Sequence, residues 1–344
     1  MTASNGVKPT FGVIGYGRFG KFWTNRLLKL GKVWVYEPRP LKEKPNSQLD
    51  ARDINTLLAK VDVLFLAMPI SQVEDICKQI KTKLEPETIV ADVCSVKVYP
   101  AKVMRQILPK NQPLIGTHPL FGPDSAGRAK TLKGFKIVVC PLRASKPKLQ
   151  SFTKILKKLQ AELIFTTPEN HDLQMARSQA LIHYIGRGIQ SLNLRPQKIA
   201  TLDYSSLLHI KDVVVHDSWR LFFDMQNFNP YIKDIRSRLT DNLRAIELKI
   251  QNSSQDIKNL RQAIGYIDRQ IINLVASRSR LSENIGRLKR KAGQKISDPQ
   301  REKKLTAFHD HISRKLDLDA KMVNKIFQIL ISNSKRLQHG KERK

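Results

Sequence analysis

The stretch Phe11-Gly-Val-Ile14-Gly15-Tyr-Gly17-Arg-Phe-Gly20 sets the architecture expected for the first part of this chain. A short apolar run enters a glycine-rich turn. Residues 21–30 then carry a helical pattern stopped by Gly31, and Lys32-Val-Trp-Val-Tyr36 reads as a second strand, closed by Glu37-Pro38. In that setting a GxGxxG string is a dinucleotide-binding fingerprint. Gly15 permits the tight turn, Gly17 lets a pyrophosphate approach the backbone, and Gly20 permits close packing of helix on strand. The helix amino terminus attracts the phosphates. Glu37 is placed to accept the ribose hydroxyls and to repel a 2′-phosphate, which favours NAD; Arg39 could hold such a phosphate, so NADP stands second.

Working outward, residues 61–69, 88–93, 113–115, 136–140 and 163–166 read as further strands and residues 74–83 as a helix. That alternation predicts a parallel sheet with helices on both faces, an α/β Rossmann domain over residues 1–168. Residues 169–253 show helical patterns and no strand, so an all-α domain follows. The polar stretch Gln251-Asn-Ser-Ser-Gln-Asp256 offers a linker.

From Leu260 a new seam begins: Ile264, Ile267, Ile271, Leu274, Arg278, Leu281, Ile285 and Leu288 follow in steps of four and three. This heptad implies a helix of roughly 45 Å, too long to bury its seam in a small lone domain, and hence a homodimer. Gly293 ends it, Asp298-Pro299 starts another helix, and a third runs over residues 320–338, giving a third all-α domain over residues 257–340.

The composition is that of a globular protein of 344 residues, with 41% hydrophobic and 26% charged residues. The formal charge of +31 favours anionic partners. The excess is spread, since residues 241–344 hold 24 basic and 11 acidic side chains, and no aromatic-interleaved basic patch accompanies it. A basic nucleic-acid-binding dimer is therefore the weaker reading, and no nucleic acid is expected as partner. Cys77, Cys94 and Cys140 show no metal-ligand spacing, so no metal and no disulfide is expected. No signal or membrane-spanning run is apparent, and a cytoplasmic location is the expectation.

The segment Gly116-Thr-His118-Pro-Leu-Phe-Gly122-Pro-Asp124, after Asp92-Val-Cys-Ser95-Val-Lys97, resembles the active site of the prephenate and arogenate dehydrogenases. The resemblance implies that His118 takes the proton from the ring hydroxyl while hydride leaves the same carbon for the nicotinamide. A histidine suits this, its ordinary pKa of ~6.5 lying near the operating pH. Ser95 would bind the hydroxyl or orient His118. Asp217-Ser-Trp-Arg220, followed by Asn229-Pro-Tyr-Ile-Lys-Asp234, resembles the segment in which an arginine binds a substrate carboxylate, a role that falls to Arg220. His171-Asp-Leu-Gln-Met-Ala-Arg-Ser178-Gln179-Ala-Leu-Ile-His183 resembles a helix of the enterobacterial enzymes, with Gln179 and His183 toward the substrate cleft.

The carboxyl-terminal pattern speaks for itself first. Arg278 interrupts an aliphatic seam, and a lone buried cation calls for an anion. Arg261 lies seventeen residues earlier, about 26 Å along the axis, so one small dianion cannot be gripped by both within one chain. Leu260-Arg261, Ile267-Asp268, Arg278, Gly286, Lys289, Asp298-Pro-Gln-Arg301-Glu302, Ile326-Phe327, Ser334 and Gln338 together resemble the all-helical chorismate mutases. By that resemblance Arg278 and the partner's copy of Arg261 grip two carboxylates, assisted by Arg301 and Ser334. Lys289 and Gln338 donate to the ether oxygen, Glu302 accepts from the ring hydroxyl, and Asp298 helps through its backbone.

The expectation is a bifunctional enzyme of tyrosine biosynthesis, converting chorismate to prephenate and oxidising prephenate with NAD. Its domain order is the reverse of the enterobacterial fusion. An arogenate dehydrogenase using NADP, or an active mutase beside a drifted dehydrogenase half, are the alternatives.

Overall fold

The computed structural model describes residues 8–38, 53–253 and 256–339. Arg39, two residues of the polar stretch before Asp256 and the tail from Gly340 lie outside the described residues. The chain divides into two compact units, one up to Asp241 and one from Asn242.

The first unit is built on seven strands: β1 (Thr10–Ile14), β2 (Lys32–Tyr36), β3 (Val63–Leu66), β4 (Ile89–Asp92), β5 (Leu114–Pro119), β6 (Lys136–Arg143) and β7 (Glu162–Phe165). They form one sheet in the order β2-β1-β3-β4-β5-β6-β7. The strands are short runs of Val, Ile, Leu and Phe because both faces are covered, and every residue of β3, β4 and β5 is buried. Phe11, Val13 and Phe65 point to one face, where they meet Phe22, Trp23 and Leu27 of α1 (Arg18–Leu27) and Phe152 and Leu156 of α6 (Lys146–Lys157). Ile14, Leu64 and Leu66 point to the other, against α2 (Ile54–Leu58), α3 (Val73–Ile80) and α4 (Val98–Ile107). This is the doubly wound arrangement expected from the alternation of strands and helices.

Several expectations need correction. The sheet is not wholly parallel, because β6 pairs antiparallel with β5. The intervening residues hold only the one-turn α5 (Pro123–Ala126), which returns the chain without a crossover helix. The helix expected over 21–30 begins at Arg18, since Gly17 already serves as its N-cap, and it stops at Leu27. The strand expected over 61–69 is confined to Val63–Leu66, as Asp62 is drawn off to receive a hydrogen bond from Thr10 N (2.9 Å) and Pro69 opens a 3-10 turn.

After β7, among the described residues, the chain is helical: α7 (Pro168–Arg177), α8 (Gln179–Gln190), α9 (Leu202–Val215), α10 (Trp219–Phe228) and α11 (Ile232–Asn252). Thr167 and Ser218 cap α7 and α10 by accepting from Asn170 N and Leu221 N.

The second unit holds three further helices, α12 (Ile257–Lys291), α13 (Pro299–Lys315) and α14 (Ala320–Gln338). Asp256, Asp298 and Asp319 are their N-caps. Helices α12 and α14 run in the same direction with a constant register. Arg278 meets Leu330, Ser282 meets Ser334 and Gly286 meets Gln338, each pair 52 residues apart. The aliphatic seam does not face α14. Ile264, Ile271, Leu274, Leu281, Ile285 and Leu288 are all exposed, Leu288 by 66%.

Candidate active sites

The glycine turn has the shape its sequence calls for. Gly15 has φ +99°, and a Cβ there would lie 2.7 Å from Ala67 O. A Cβ at Gly20 would lie 2.0 Å from Gly15 O, so only glycine lets α1 approach β1 this closely. Gly17 is the opposite case: nothing lies within 4 Å of where its Cβ would be. The turn therefore leaves open the face from which a pyrophosphate would come, at a helix amino terminus with no acidic residue in its first turn. Glu37 Oε2 accepts from Tyr16 N at 2.8 Å, so this carboxylate at the end of β2 is locked to the turn. These residues fit a dinucleotide.

His118 lies near the carboxyl end of β5, two places beyond the residue paired with Asp92. It is buried, and its Nδ1 is 2.9 Å from Nε2 of His171. His171 Nδ1 lies 2.7 Å from Asp172 Oδ1. Asp172 in turn accepts from Lys97 N (2.7 Å) and Val98 N (2.8 Å) at the start of α4. Beneath this row, Lys97 is fully buried; its ammonium contacts Asp92 Oδ2 and donates to Thr117 O at 2.6 Å. Burial, and then the neighbouring His171 and Lys97, hold His118 well below the usual imidazole range. Burial pushes His171 down to about 3 and Asp172 up to about 6. His118 is thus a neutral imidazole at physiological pH, the form that can take a proton. Ser95 Oγ, three residues past Asp92, is buried and has no hydrogen-bond partner among the described residues.

The other predicted residues of this unit fall into two groups. Arg220, exposed on α10, donates to Ser71 Oγ (3.2 Å), and Asp224 one turn on accepts from Ser71 N and Oγ, which ties α10 to the 3-10 turn after β3. His183 is buried on α8 with Nδ1 3.7 Å from Asp217 Oδ2. Asp217 is 3.9 Å from Arg18 of the glycine turn, and Arg18 makes two hydrogen bonds to Asp124 (2.7 and 2.8 Å) and one to His216 O. Gln179 opens α8 and is half-buried. Among the described residues, neither Gln179 nor Arg220 makes a hydrogen bond or ion pair with His118.

In the second unit Arg278 is turned out of its seam toward α14, where Nη1 donates to Leu330 O (2.7 Å) and to Ser334 Oγ. Burial lowers its pKa. Ser282 donates to Ser334 at 3.0 Å. One turn beyond Ser334, Gln338 sits against Gly286, where a Cβ would lie 2.7 Å from Gln338 Cα; its buried Oε1 has no partner among the described residues. Lys289 donates to Ile296 O at 2.9 Å. Glu302 is paired with Lys335 at 2.8 Å, and Asp298 accepts from Arg301 N at 3.0 Å while the Arg301 side chain is exposed. Arg261 is exposed near the far end of α12 and is not brought to this group.

Sequence reasoning did not single out His171, Asp172, Asp92, Lys97 or Ser282 as site residues. Asp92 and Lys97 flank Ser95 in the quoted string, and His171-Asp172 opens another, so their neighbourhood was visible and their contacts were not.

Residues 30–165 match the family described as "Prephenate dehydrogenase, nucleotide-binding domain", and residues 260–339 match "Chorismate mutase type II". A chorismate mutase of Methanocaldococcus jannaschii is 33% identical over 84 residues, which are 24% of this chain and 85% of that protein. The chain joins the prephenate dehydrogenase family to the type II chorismate mutases. The dehydrogenase part is 26% identical over 237 residues to arogenate dehydrogenase 1, chloroplastic, of Arabidopsis thaliana, covering 67% of this chain and 37% of that protein. Across the arogenate dehydrogenases and related proteins it matches, the chain spans 37% to 66% of their length. The fold is shared with the crystal structure of prephenate dehydrogenase from A. aeolicus in complex with hydroxyphenyl propionate and NAD+. The TM-score is 0.55 at 16% identity, covering 78% of this chain and 100% of that one. Residues 189–263, which bridge the dehydrogenase and mutase parts, match "TYRAAT1-like, C-terminal domain". Among the described residues no helix is long and apolar enough to cross a membrane, and no cluster of His, Cys, Asp or Glu could hold a metal ion.

Proposed function

We propose that the chain is a bifunctional enzyme that rearranges chorismate to prephenate and oxidatively decarboxylates prephenate to 4-hydroxyphenylpyruvate with NAD. The work is divided among a nucleotide-binding domain (1–168), a helical dehydrogenase domain (169–253) and a mutase domain (257–340). The observation that carries the dehydrogenase reading is a buried, neutral imidazole, His118, in the same sheet that carries the glycine turn.

In that reading Gly15, Gly17, Gly20 and the start of α1 hold the dinucleotide, and Glu37 favours NAD over NADP. The chemistry the cofactor supplies when bound is hydride acceptance. His118 takes the proton of the ring hydroxyl, Ser95 hydrogen-bonds that hydroxyl, and Arg220 binds a carboxylate through its planar fork. Gln179 and His183 border the cleft.

The mutase reaction is unimolecular and needs no base or nucleophile. Arg278 and Ser334 already form one hydrogen-bonded pair and would hold a carboxylate. Lys289 and Gln338 would donate to the ether oxygen, where negative charge grows as its bond to carbon breaks. Glu302 would accept from the ring hydroxyl, Arg301 would assist the carboxylate, and Asp298 fixes the start of α13. Holding the substrate compact supplies the rest. The exposed seam of α12 supports a homodimer in which the partner's copy of Arg261 completes each site.

The test is to give the purified protein chorismate alone, then NAD or NADP in parallel samples. Chorismate loss without cofactor, followed by faster reduction of NAD than of NADP, is the expected result. No loss of chorismate would overturn the mutase reading, and no reduction of either cofactor with prephenate or arogenate would overturn the dehydrogenase reading.

A further inference from the structure

We propose that His171 and Asp172 are positioning residues that fix the tautomer of His118 and so present the lone pair of its Nε2 to the substrate. The inference rests on the reading of His118 as the base of the dehydrogenase site.

The tautomers follow from where protons can lie along a row of buried groups. Peptide N–H groups can only donate, and Asp172 receives one on each oxygen, from Lys97 N and Val98 N. Asp172 is therefore held as an acceptor. Its third contact, with His171 Nδ1 at 2.7 Å, places the His171 proton on Nδ1. A neutral imidazole carries one ring proton, so Nε2 of His171 is left as a lone pair. That nitrogen is 2.9 Å from Nδ1 of His118, and one proton must lie between them; it belongs to His118 Nδ1. The only ring nitrogen of His118 with a free lone pair is then Nε2.

Burial makes this assignment costly to reverse. His118, His171 and Asp172 are 4%, 2% and 0% exposed, so water cannot satisfy a group left unpaired. The other tautomer of either ring would set two lone pairs, or two protons, against each other in a dry site. The charge states agree. Asp172, raised to about 6, is a carboxylate at neutral pH, and both imidazoles are held neutral by burial. The row also anchors itself to the fold. Asp172 closes the amino end of α4, and its own carbonyl accepts from Asn229 Nδ2 at 2.8 Å. A base oriented by a second group, itself oriented by a third, is how a histidine is held ready for proton abstraction.

The experiment reads the tautomer directly. The full chain is labelled with 15N-histidine, and long-range 15N–1H spectra identify which ring nitrogen of His118 is protonated, its signal assigned by its loss in His118→Asn. The wild type is expected to carry the proton on Nδ1. His171→Gln, whose amide oxygen can still accept that proton, should keep the tautomer and keep kcat within about tenfold. His171→Leu should mix the tautomers and lower kcat about 100-fold, with KM changed less than about threefold. A wild-type proton on Nε2, or equal losses in both variants, would overturn the proposal. Because the spectrum needs no substrate, it stands apart from the activity reading. An Nδ1 proton in a protein that oxidises neither prephenate nor arogenate would overturn the proposed function and leave the positioning role intact. Should His171→Leu fail to fold, the wild-type spectrum and His171→Gln still decide.

Discussion

Replacing Lys97 by methionine keeps the length of the side chain and removes its charge at a site where lysine and Asp92 are each 1% exposed. The Asp92 carboxylate then keeps the Cys94 N–H (3.0 Å) as its donor, while its Oδ1 already has none, and Thr117 O loses the ammonium. Breaking a buried pair from one side costs about 3–5 kcal/mol. The protein can escape part of that cost by protonating Asp92. Burial already pushes this carboxyl up and Lys97 pulls it down, so removing Lys97 raises it further. A group that binds its proton more tightly folded than unfolded loses stability as pH rises above the unfolded value of ~3.9, by up to about 1.4 kcal/mol per pH unit. Losing Lys97 also relieves the repulsion that depresses His118 and His171, which favours the variant in acid too. The deficit of the variant should therefore be largest near pH 7 and shrink toward pH 5. All three tryptophans, Trp23, Trp34 and Trp219, precede Asn242, so urea unfolding followed by their fluorescence reports on the first unit alone. A variant within about 1 kcal/mol of wild type at pH 7, or a deficit that does not narrow on acidification, would show that the buried pair does not hold this site together.

The two activities should separate. Lys289→Ala is expected to lower chorismate turnover about 100- to 1,000-fold and leave prephenate oxidation nearly intact; His118→Asn should do the reverse, and joint loss in either variant would argue against independent sites. Arg261→Ala and Arg278→Ala should each be inactive as mutases, yet refolding an equal mixture should restore about a quarter of the wild-type activity, since half the dimers then hold one intact site; no recovery would argue against shared sites. In Gly286→Ala the added methyl, 2.7 Å from Gln338 Cα, must push α14 away. Steady-state kinetics should show mutase loss with unchanged NADH formation, and circular dichroism an overpacking cost of about 1–3 kcal/mol.

How far the sequence reached depends on the kind of contact involved. The glycine turn was legible because its three glycines answer to backbone sterics within six residues. The antiparallel β6 was not, because a strand's direction is set by the connection before it, and residues 120–135 carry no periodic signal separating a crossover from a return. Heptad spacing found the exposed seam of α12 and misjudged the aim of Arg278, a side chain long enough to leave the seam and reach Ser334. The link from His171 to His118 joins residues 53 apart through a hydrogen bond alone, and such bonds leave no periodic trace. Arg301, Glu302 and Asp298 were named through resemblance, and of these the cap at Asp298 has a local signature in Asp-Pro.

Among the described residues of the second unit the buried positions are Ser282, Gly286, His309, Ser313, Ser334 and Leu337, with Arg278 half-buried among them. That is a poor oily interior and a good receptacle for an anion. Selection for robustness and selection for turnover pull this unit in opposite directions: a leucine in place of Ser334 would fill it better and silence it. By mass action a dicarboxylate that binds there should raise the melting temperature of this unit, so in the proposed reading the substrate doubles as the missing part of its core.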